Sequence, residues 1–136
     1  MEYSLTLHND VQELSLLTAF IDAISEENGI DMMESMNINL SVEEAVVNVM
    51  KYAYQKGTTG EVRINATAAD GLLTIAITDD GAPFDPSQKE DPDVSLPVEE
   101  RPIGGLGIFL VRQLMDSVAY QRADGKNILT LTKIIK

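Results

Sequence analysis

Apolar residues recur at helical spacing in three stretches of this chain. They lie at 11–24, 38–53 and 108–115. A stripe of this kind predicts an amphipathic helix with one face on a core. Asn9 or Asp10 is suited to cap the first helix, and Gly29 to end it. The second helix is predicted from about Asp31 to Tyr54.

Elsewhere the apolar residues alternate with polar ones at every second position, which predicts strands with one buried face. The clearest examples are 61–70 and 72–79, with Asp70-Gly71 between them as a tight hairpin signal. Further strands are predicted at 3–8, 117–122 and 127–135, the last two joined at Asp124-Gly125. The order is therefore strand, two helices, two strands, a loop, a helix and two strands.

The loop from Ala82 to Ile103 contains all five prolines of the chain and many acidic residues. A connection of this length inside a small domain is usually a lid, a binding loop or a disordered segment. We interpret it as a lid, because it joins two candidate ligand-binding motifs. A solvated tether is the alternative.

At 136 residues and 44% hydrophobic, the chain is predicted to form one domain, 1–136. It has no cysteine, which excludes disulfides and thiolate chemistry, and its single histidine, His8, excludes a histidine-rich metal cluster. The formal net charge of −12 argues against binding to nucleic acid or to a membrane surface. No apolar run approaches the roughly 20 residues of a membrane span. We expect a cytoplasmic protein.

The second predicted helix carries a row of polar residues spaced four apart along one flank of its apolar stripe. Glu44, Asn48 and Tyr52 form this row. Carboxylate and amide oxygens are the ligand class that Mg²⁺ prefers, and the carboxylate could also act as a base. A solvated glutamate and a structural asparagine are the alternative interpretation.

Two further motifs flank the predicted lid. Asp79 ends a strand on its inward face, where a buried carboxylate needs a donor such as a purine amino group, and Gly81 lets the backbone approach a flat ring. Gly104-Gly105-Leu106-Gly107 opens a helix, where free amides attract phosphate. Each also has a structural interpretation, as a turn carboxylate and as a helix-entry turn. Neither a Rossmann fingerprint nor a P-loop is present.

The order of these motifs resembles that of the Bergerat-fold ATPases, also called the GHKL superfamily, and within it the anti-sigma-factor serine kinases. Leu40 to Asn48 is similar to the N box of that superfamily. Asp79 to Pro86 and Arg101 to Ile108 are similar to its two glycine boxes.

The resemblance implies an α+β fold, a two-layer sandwich in which about three helices cover one face of a mixed, mostly antiparallel sheet. It also implies an ATP site under a lid at about 82–103. In this site Glu44 is the general base, Asn48 the Mg²⁺ ligand and Asp79 the adenine anchor. Gly81 shapes the base pocket. The remaining nucleotide-binding residues are Arg101, Gly104, Gly105, Leu106 and Gly107.

The resemblance further implies that the phosphoryl acceptor is a serine on a small anti-anti-sigma protein with a STAS domain. A sigma factor is a second implied partner, and a homodimer could form. The leading hypothesis is thus an Mg²⁺-dependent protein serine kinase. An ATP-loaded binding module without turnover and a degenerate relative with a scaffold role are alternatives. A histidine-kinase catalytic domain has little support, because His8 lies in a predicted strand.

Overall fold

The computed structural model describes residues 1–54, 57–83 and 105–135. In this part of the chain the strands are β1 (Glu2–His8), β2 (Glu61–Ala69), β3 (Leu72–Asp79), β4 (Ser117–Ala123) and β5 (Lys126–Ile134). The helices are α1 (Leu14–Glu27), α2 (Met32–Tyr52) and α3 (Gly105–Leu114), and a short 3-10 turn precedes α1 at Val11–Glu13. The order of elements is the predicted one. Of the predicted lid, only Ala82 and Pro83 lie within the described residues.

The strands form one sheet in the order β1-β2-β3-β5-β4, and each of its pairings is antiparallel. Both predicted hairpins are present. Asp70 and Gly71 have φ of 55° and 77°, and Asp124 and Gly125 have φ of 54° and 76°. Two successive positive φ values define the tight turn that matches the right-handed twist of paired strands, and Asp-Gly supplies them at low cost.

Capping aspartates precede the 3-10 turn and α2. The side chain of Asp10 accepts a hydrogen bond of 2.9 Å from the backbone N–H of Gln12, so it caps the 3-10 turn, and the α-helix itself begins only at Leu14. Asp31 caps α2 in the same way. The second helix ends at Tyr52, two residues before the predicted end. Capping of this kind contributes about 1 kcal/mol per helix.

The core lies between one face of the sheet and the three helices. Every second residue of β2 and β3 is buried, whereas the residues between them are mostly exposed or half-buried. The helix α2 packs against both α1 and α3, so it is the central helix of its layer. The largest buried side chains are Leu7, Leu17, Ile21, Ile24, Ile38, Ile64, Leu73, Ile75, Ile77 and Leu131. Burying one such side chain contributes about 1.5–3 kcal/mol.

This arrangement confirms the predicted two-layer α+β sandwich, with a sheet that is antiparallel throughout the described residues. In the same residues, no helix combines the length and the apolar character that a membrane crossing requires.

Candidate functional site

The first part of the candidate site lies on α2. Asn48 is 5% exposed, and its Nδ2 donates a hydrogen bond of 3.0 Å to the backbone carbonyl of Glu44, one turn earlier. Because only the nitrogen end of an amide can donate, Oδ1 is the end that points away from this carbonyl. The Glu44 side chain is half-buried, and the neighbouring Glu43 is exposed. The pair therefore combines a partly solvated carboxylate with a buried amide on one flank of a helix.

The second part is the end of β3. Asp79 is 1% exposed, as the alternation along this strand predicted. Its Oδ1 accepts hydrogen bonds from the backbone N–H of Gly81, at 2.8 Å, and from Nδ2 of Asn127, at 3.0 Å. Among the described residues no donor reaches Oδ2. The carboxylate thus has one oxygen held by the protein and one left as an acceptor.

Burial is the main influence on the charge of Asp79. It raises the pKa of this carboxyl above its ordinary value, because the ionised form loses solvation. The hydrogen bonds from Asn127 and Gly81 lower the pKa and oppose this effect, as does the positive charge of Arg122. The donors from Asn127 and Gly81 thus favour the ionised, accepting form of a carboxyl group whose burial disfavours that form.

Gly81 brings the chain after β3 into close contact with the end of α2. A Cβ atom at this position would overlap the carbonyl oxygen of Ala53. The same carbonyl accepts a hydrogen bond of 2.8 Å from the backbone N–H of Ala82. The absence of a side chain at Gly81 is therefore a requirement of packing.

Three residues of the β4–β5 hairpin complete this end of the site. Asn127 is directly opposite Asp79 in the register of β3 and β5 and donates to the carbonyl of Ala82 at 2.7 Å. Arg122 donates to the carbonyl of Gly81 at 2.8 Å. Tyr120 donates to Oδ1 of Asn127 at 2.5 Å. Sequence reasoning missed these residues, although pairing β3 with β5 in register would have placed Asn127 beside Asp79.

The adjacent Asp80 has the opposite environment. It is exposed and bonds both terminal nitrogens of Arg63, at 3.1 and 3.2 Å, and Nζ of Lys126 at 3.1 Å. The hydrogen bond from Arg63, followed by that from Lys126, lowers the pKa of Asp80. The two neighbouring carboxylates therefore differ. Asp79 at the end of β3 faces the core, whereas Asp80 forms ion pairs at the surface.

Tyr54 connects the end of α2 with the start of β2 and with Asp80, which follows β3. Its hydroxyl donates to the carbonyl of Glu61 at 2.6 Å and accepts from the backbone N–H of Asp80 at 3.0 Å. Burial raises the pKa of Tyr54. No motif in the sequence points to this role, since Tyr54 is predicted only as the last residue of the second helix.

The third predicted motif is described only in part. Gly105, Leu106 and Gly107 form the first turn of α3, whose first backbone N–H groups have no acceptor within the helix. Such amides attract phosphate groups. Arg101 and Gly104 lie outside the described residues.

The environment of Asn48 indicates how well this residue suits Mg²⁺. Among the described residues no group of three or more histidine or acidic side chains could hold a metal ion. The Nδ2 of this buried amide is held by the carbonyl of Glu44, which leaves Oδ1 as its ligand atom. An amide oxygen fits Mg²⁺, which takes oxygen ligands and commonly keeps several waters and phosphate oxygens in its shell. Asn48 therefore fits as one oxygen ligand of such an ion.

Residues 7–133 match the sequence profile of the histidine kinase-like ATPase domain family. The chain therefore belongs to this family, which confirms the predicted resemblance to the GHKL superfamily.

Named relatives within the family are serine kinases. The serine/threonine-protein kinase BtrW of Bordetella bronchiseptica is 32% identical over 95 residues, which are 70% of this chain and 67% of that protein. The serine-protein kinase RsbW of Bacillus thuringiensis is 36% identical over 110 residues, which are 78% of this chain and 66% of that protein. The matched region thus spans about two thirds of these relatives. Their names bear out the predicted enzyme class, a protein serine kinase.

Solved structures agree on the fold. The RsbU and RsbW domains of Rv1364c from Mycobacterium tuberculosis superpose with a TM-score of 0.71 at 18% identity, over 98% of this chain and 32% of that one. A histidine kinase domain from Erythrobacter litoralis EL346 superposes with a TM-score of 0.59 at 19% identity, over 90% of this chain and 60% of that one.

Proposed function

We propose that this chain transfers the γ-phosphoryl group of ATP to a serine hydroxyl on a small anti-anti-sigma protein with a STAS domain. The observation that carries the proposal is the pair on α2, in which the half-buried carboxylate of Glu44 lies one turn from the buried amide of Asn48. The names of the relatives support transfer to serine. Such a protein, acting on transcription regulators, would work in the cytoplasm and could also sequester a sigma factor.

The nucleotide would be held at both ends of the site. Oδ2 of Asp79 accepts a hydrogen bond from the amino group of adenine, and Gly81 allows the base to approach. The amides of Gly105 to Gly107 face the phosphates, together with the predicted contributions of Arg101 and Gly104. In this proposal residues 1–136 form one domain, and the segment at about 82–103 is its lid.

The reaction needs a base near the acceptor. The serine oxygen forms a bond to the γ-phosphorus while the bond from that phosphorus to the bridging oxygen breaks, and ADP leaves. The serine proton goes to the carboxylate of Glu44. Asn48 would hold Mg²⁺, which when bound neutralises charge on the phosphates.

The acceptor protein must lie over the side of α2 that presents Glu44. This side carries exposed apolar side chains, which we name the methionine stripe: Met32, Met33, Met36 and Leu40, exposed by 80%, 70%, 63% and 39%. Met36, Leu40 and Glu44 follow each other at one-turn intervals. Methionine adapts its shape to a partner surface. A protein that delivers a serine to Glu44 would therefore cover the stripe, and we assign the stripe to this partner.

The test uses the purified chain, Mg²⁺ with ATP, and each STAS-domain protein encoded in the same genome. Mass spectrometry should find one phosphoryl group on a serine of at least one of them, and a serine-to-alanine variant of that partner should remain unmodified. If the chain binds ATP and every partner stays unmodified, the chain is an ATP-loaded binding module and the transfer proposal is wrong.

A further inference from the structure

Asn127 lies at the centre of the hydrogen-bond network around Asp79. It is 4% exposed and extends from β5 toward the carboxylate directly opposite on β3. Its Nδ2 donates to Oδ1 of Asp79 at 3.0 Å and to the carbonyl of Ala82 at 2.7 Å. The sequence motifs do not include this residue.

The other end of the amide fixes its orientation. Oδ1 of Asn127 accepts from the hydroxyl of Tyr120 at 2.5 Å and from Nη1 of Arg122 at 3.2 Å. A reversed amide would turn its oxygen toward the carboxylate of Asp79 and its NH₂ group toward the guanidinium of Arg122. Both contacts would then be repulsive, so the network permits one orientation.

This orientation determines which oxygen of Asp79 is available. The donors from Asn127 and Gly81 both end on Oδ1. Two donors on one oxygen hold the carboxylate against rotation and leave Oδ2 as its remaining acceptor.

We propose that Asn127 is a positioning residue of the nucleotide site. It holds Asp79 so that Oδ2 accepts a hydrogen bond from the amino group of adenine, and this hydrogen bond selects the base. The inference rests on the proposed function, since it requires a nucleotide at Asp79. It goes further in assigning part of the selectivity to a side chain that acts through Asp79.

Several charged and titratable groups face Asp79 and influence its ionisation. They are Arg122 from β4, the neighbouring Asp80, and Tyr54 from the end of α2. Burial raises the pKa of Asp79, and the hydrogen bond from Asn127 is the foremost influence that lowers it. Removing Asn127 therefore raises this pKa further, and a smaller fraction of Asp79 is ionised at a given pH.

The first test is calorimetric titration of the full chain with ADP and with inosine diphosphate, whose base carries an oxygen in place of the amino group. Asn127→Ala should lower ADP affinity about tenfold, the usual effect of losing a hydrogen bond to a charged group, and should leave inosine diphosphate affinity nearly unchanged. Asn65→Ala, at an exposed asparagine of β2, is the matched control and should bind as the wild type does.

Each other outcome of this titration has a definite meaning. Equal losses for both nucleotides would mean that Asn127 only stabilises the fold, which overturns the proposal. Unchanged ADP affinity would overturn it as well, while the nucleotide site itself stands. A wild type that binds neither nucleotide would overturn the proposed function together with this inference.

A second variant decides the matter if Asn127→Ala does not fold. Asn127→Asp keeps the shape but places a second carboxylate against Asp79. When this group is protonated, it donates to Oδ1 as the amide does, whereas the ionised form repels. ADP affinity of this variant should therefore rise as the pH falls from neutral, whereas that of the wild type should fall as Asp79 becomes protonated. The same trend in both proteins would contradict the proposal.

Discussion

The two ends of the candidate site are built in different ways. The end around Asp79, which we call the base end, draws on β3, the β4–β5 hairpin and Ala53 at the end of α2, and hydrogen bonds connect these elements. The end around Glu44 and Asn48 depends on a single helix, with one hydrogen bond between the pair. The first is fixed by tertiary structure and the second by helical spacing.

Under the proposed function, this difference matches a division of tasks. Selecting a flat base requires an acceptor at a fixed place, which a sheet in register supplies because each strand positions its neighbours. Phosphoryl transfer requires a carboxylate that a second protein can reach, and a half-buried side chain on the outer part of a helix meets this need. Variants at the two ends should therefore separate binding from transfer.

Glu44→Gln should have the largest effect, and on transfer alone. Loss of a general base lowers the rate roughly 10²- to 10⁴-fold. ADP affinity should not change, because in the proposed function Glu44 acts at the γ-phosphoryl group and not at the base. Single-turnover transfer to the STAS partner and ADP titration measure the two quantities separately.

Glu43→Gln provides the control for this variant, since Glu43 is the adjacent glutamate and is exposed. It should transfer at the wild-type rate. Equal losses in the two variants would assign the effect to the charge of the helix surface and would remove Glu44 from the chemistry.

Asp79→Asn should have the next largest effect, and on nucleotide binding. Asparagine keeps Oδ1 for the donors from Gly81 and Asn127 but replaces Oδ2 with an NH₂ group, which faces the donor of adenine. ADP affinity should fall about ten- to hundredfold. Asp80→Asn, which removes only surface ion pairs, should change it little.

The same variant should not destabilise the fold. The folded-state pKa of Asp79 is raised by burial, so the stability linked to this group is present below its unfolded pKa and is lost as the pH rises through the folded value. Above the folded-state pKa the ionised carboxylate therefore opposes folding. Urea denaturation should give Asp79→Asn an unfolding free energy equal to or above that of the wild type. A large decrease would mean that the affinity loss reflects damage to the fold.

Local patterns in the sequence were sufficient for most of the fold. Period-two alternation predicted the strands and the inward direction of Asp79, and Asp-Gly predicted both hairpins. Helical spacing placed Glu44 and Asn48 on one flank of α2. These features depend on residues that are close in sequence, where the period of the backbone decides which way a side chain points.

The missed residues depend on contacts between distant parts of the chain. Asn127 and Arg122 reach the segment after β3 only because β5 lies between β3 and β4 in the sheet. Tyr54 acts because the end of α2 meets the start of β2. No periodicity in a single sequence specifies the order of strands, so these donors could not be assigned beforehand.

Gly81→Ala tests how tightly the base end is packed. Its Cβ would meet the carbonyl of Ala53, a backbone atom that cannot move away cheaply, so the unfolding free energy should fall by about 1–3 kcal/mol. ADP affinity should fall as well, because the segment after Asp79 must shift. Gly125→Ala is the control: its Cβ meets no atom within 4 Å, and only its positive φ should cost about 1 kcal/mol. Equal stability losses in the two variants would contradict the packing argument.

The smallest expected effect concerns the methionine stripe, which lies beside the end of the site around Glu44 and Asn48, on the side where the acceptor protein would bind. If the partner covers this surface, Met33→Ser combined with Met36→Ser should raise KM for the STAS partner about three- to tenfold, because single contacts outside the centre of an interface contribute little. The value of kcat should stay the same as in the wild type, since the variant retains Glu44. Leu16→Ser, at a side chain of α1 that is 51% exposed and outside the stripe, should behave as the wild type.

Two further measurements separate this interpretation from its alternatives. ADP affinity of the double variant should be unchanged, since the base end shares no residue with the stripe. Sedimentation of the chain alone should give the same mass for the wild type and the variant. If the variant instead converts a dimer to a monomer and leaves KM unchanged, the stripe joins two copies of this chain. The acceptor protein would then have to approach Glu44 from the side of α3. The end of the site around Glu44 and Asn48 would in that case depend on two helices, as the end around Asp79 depends on several elements.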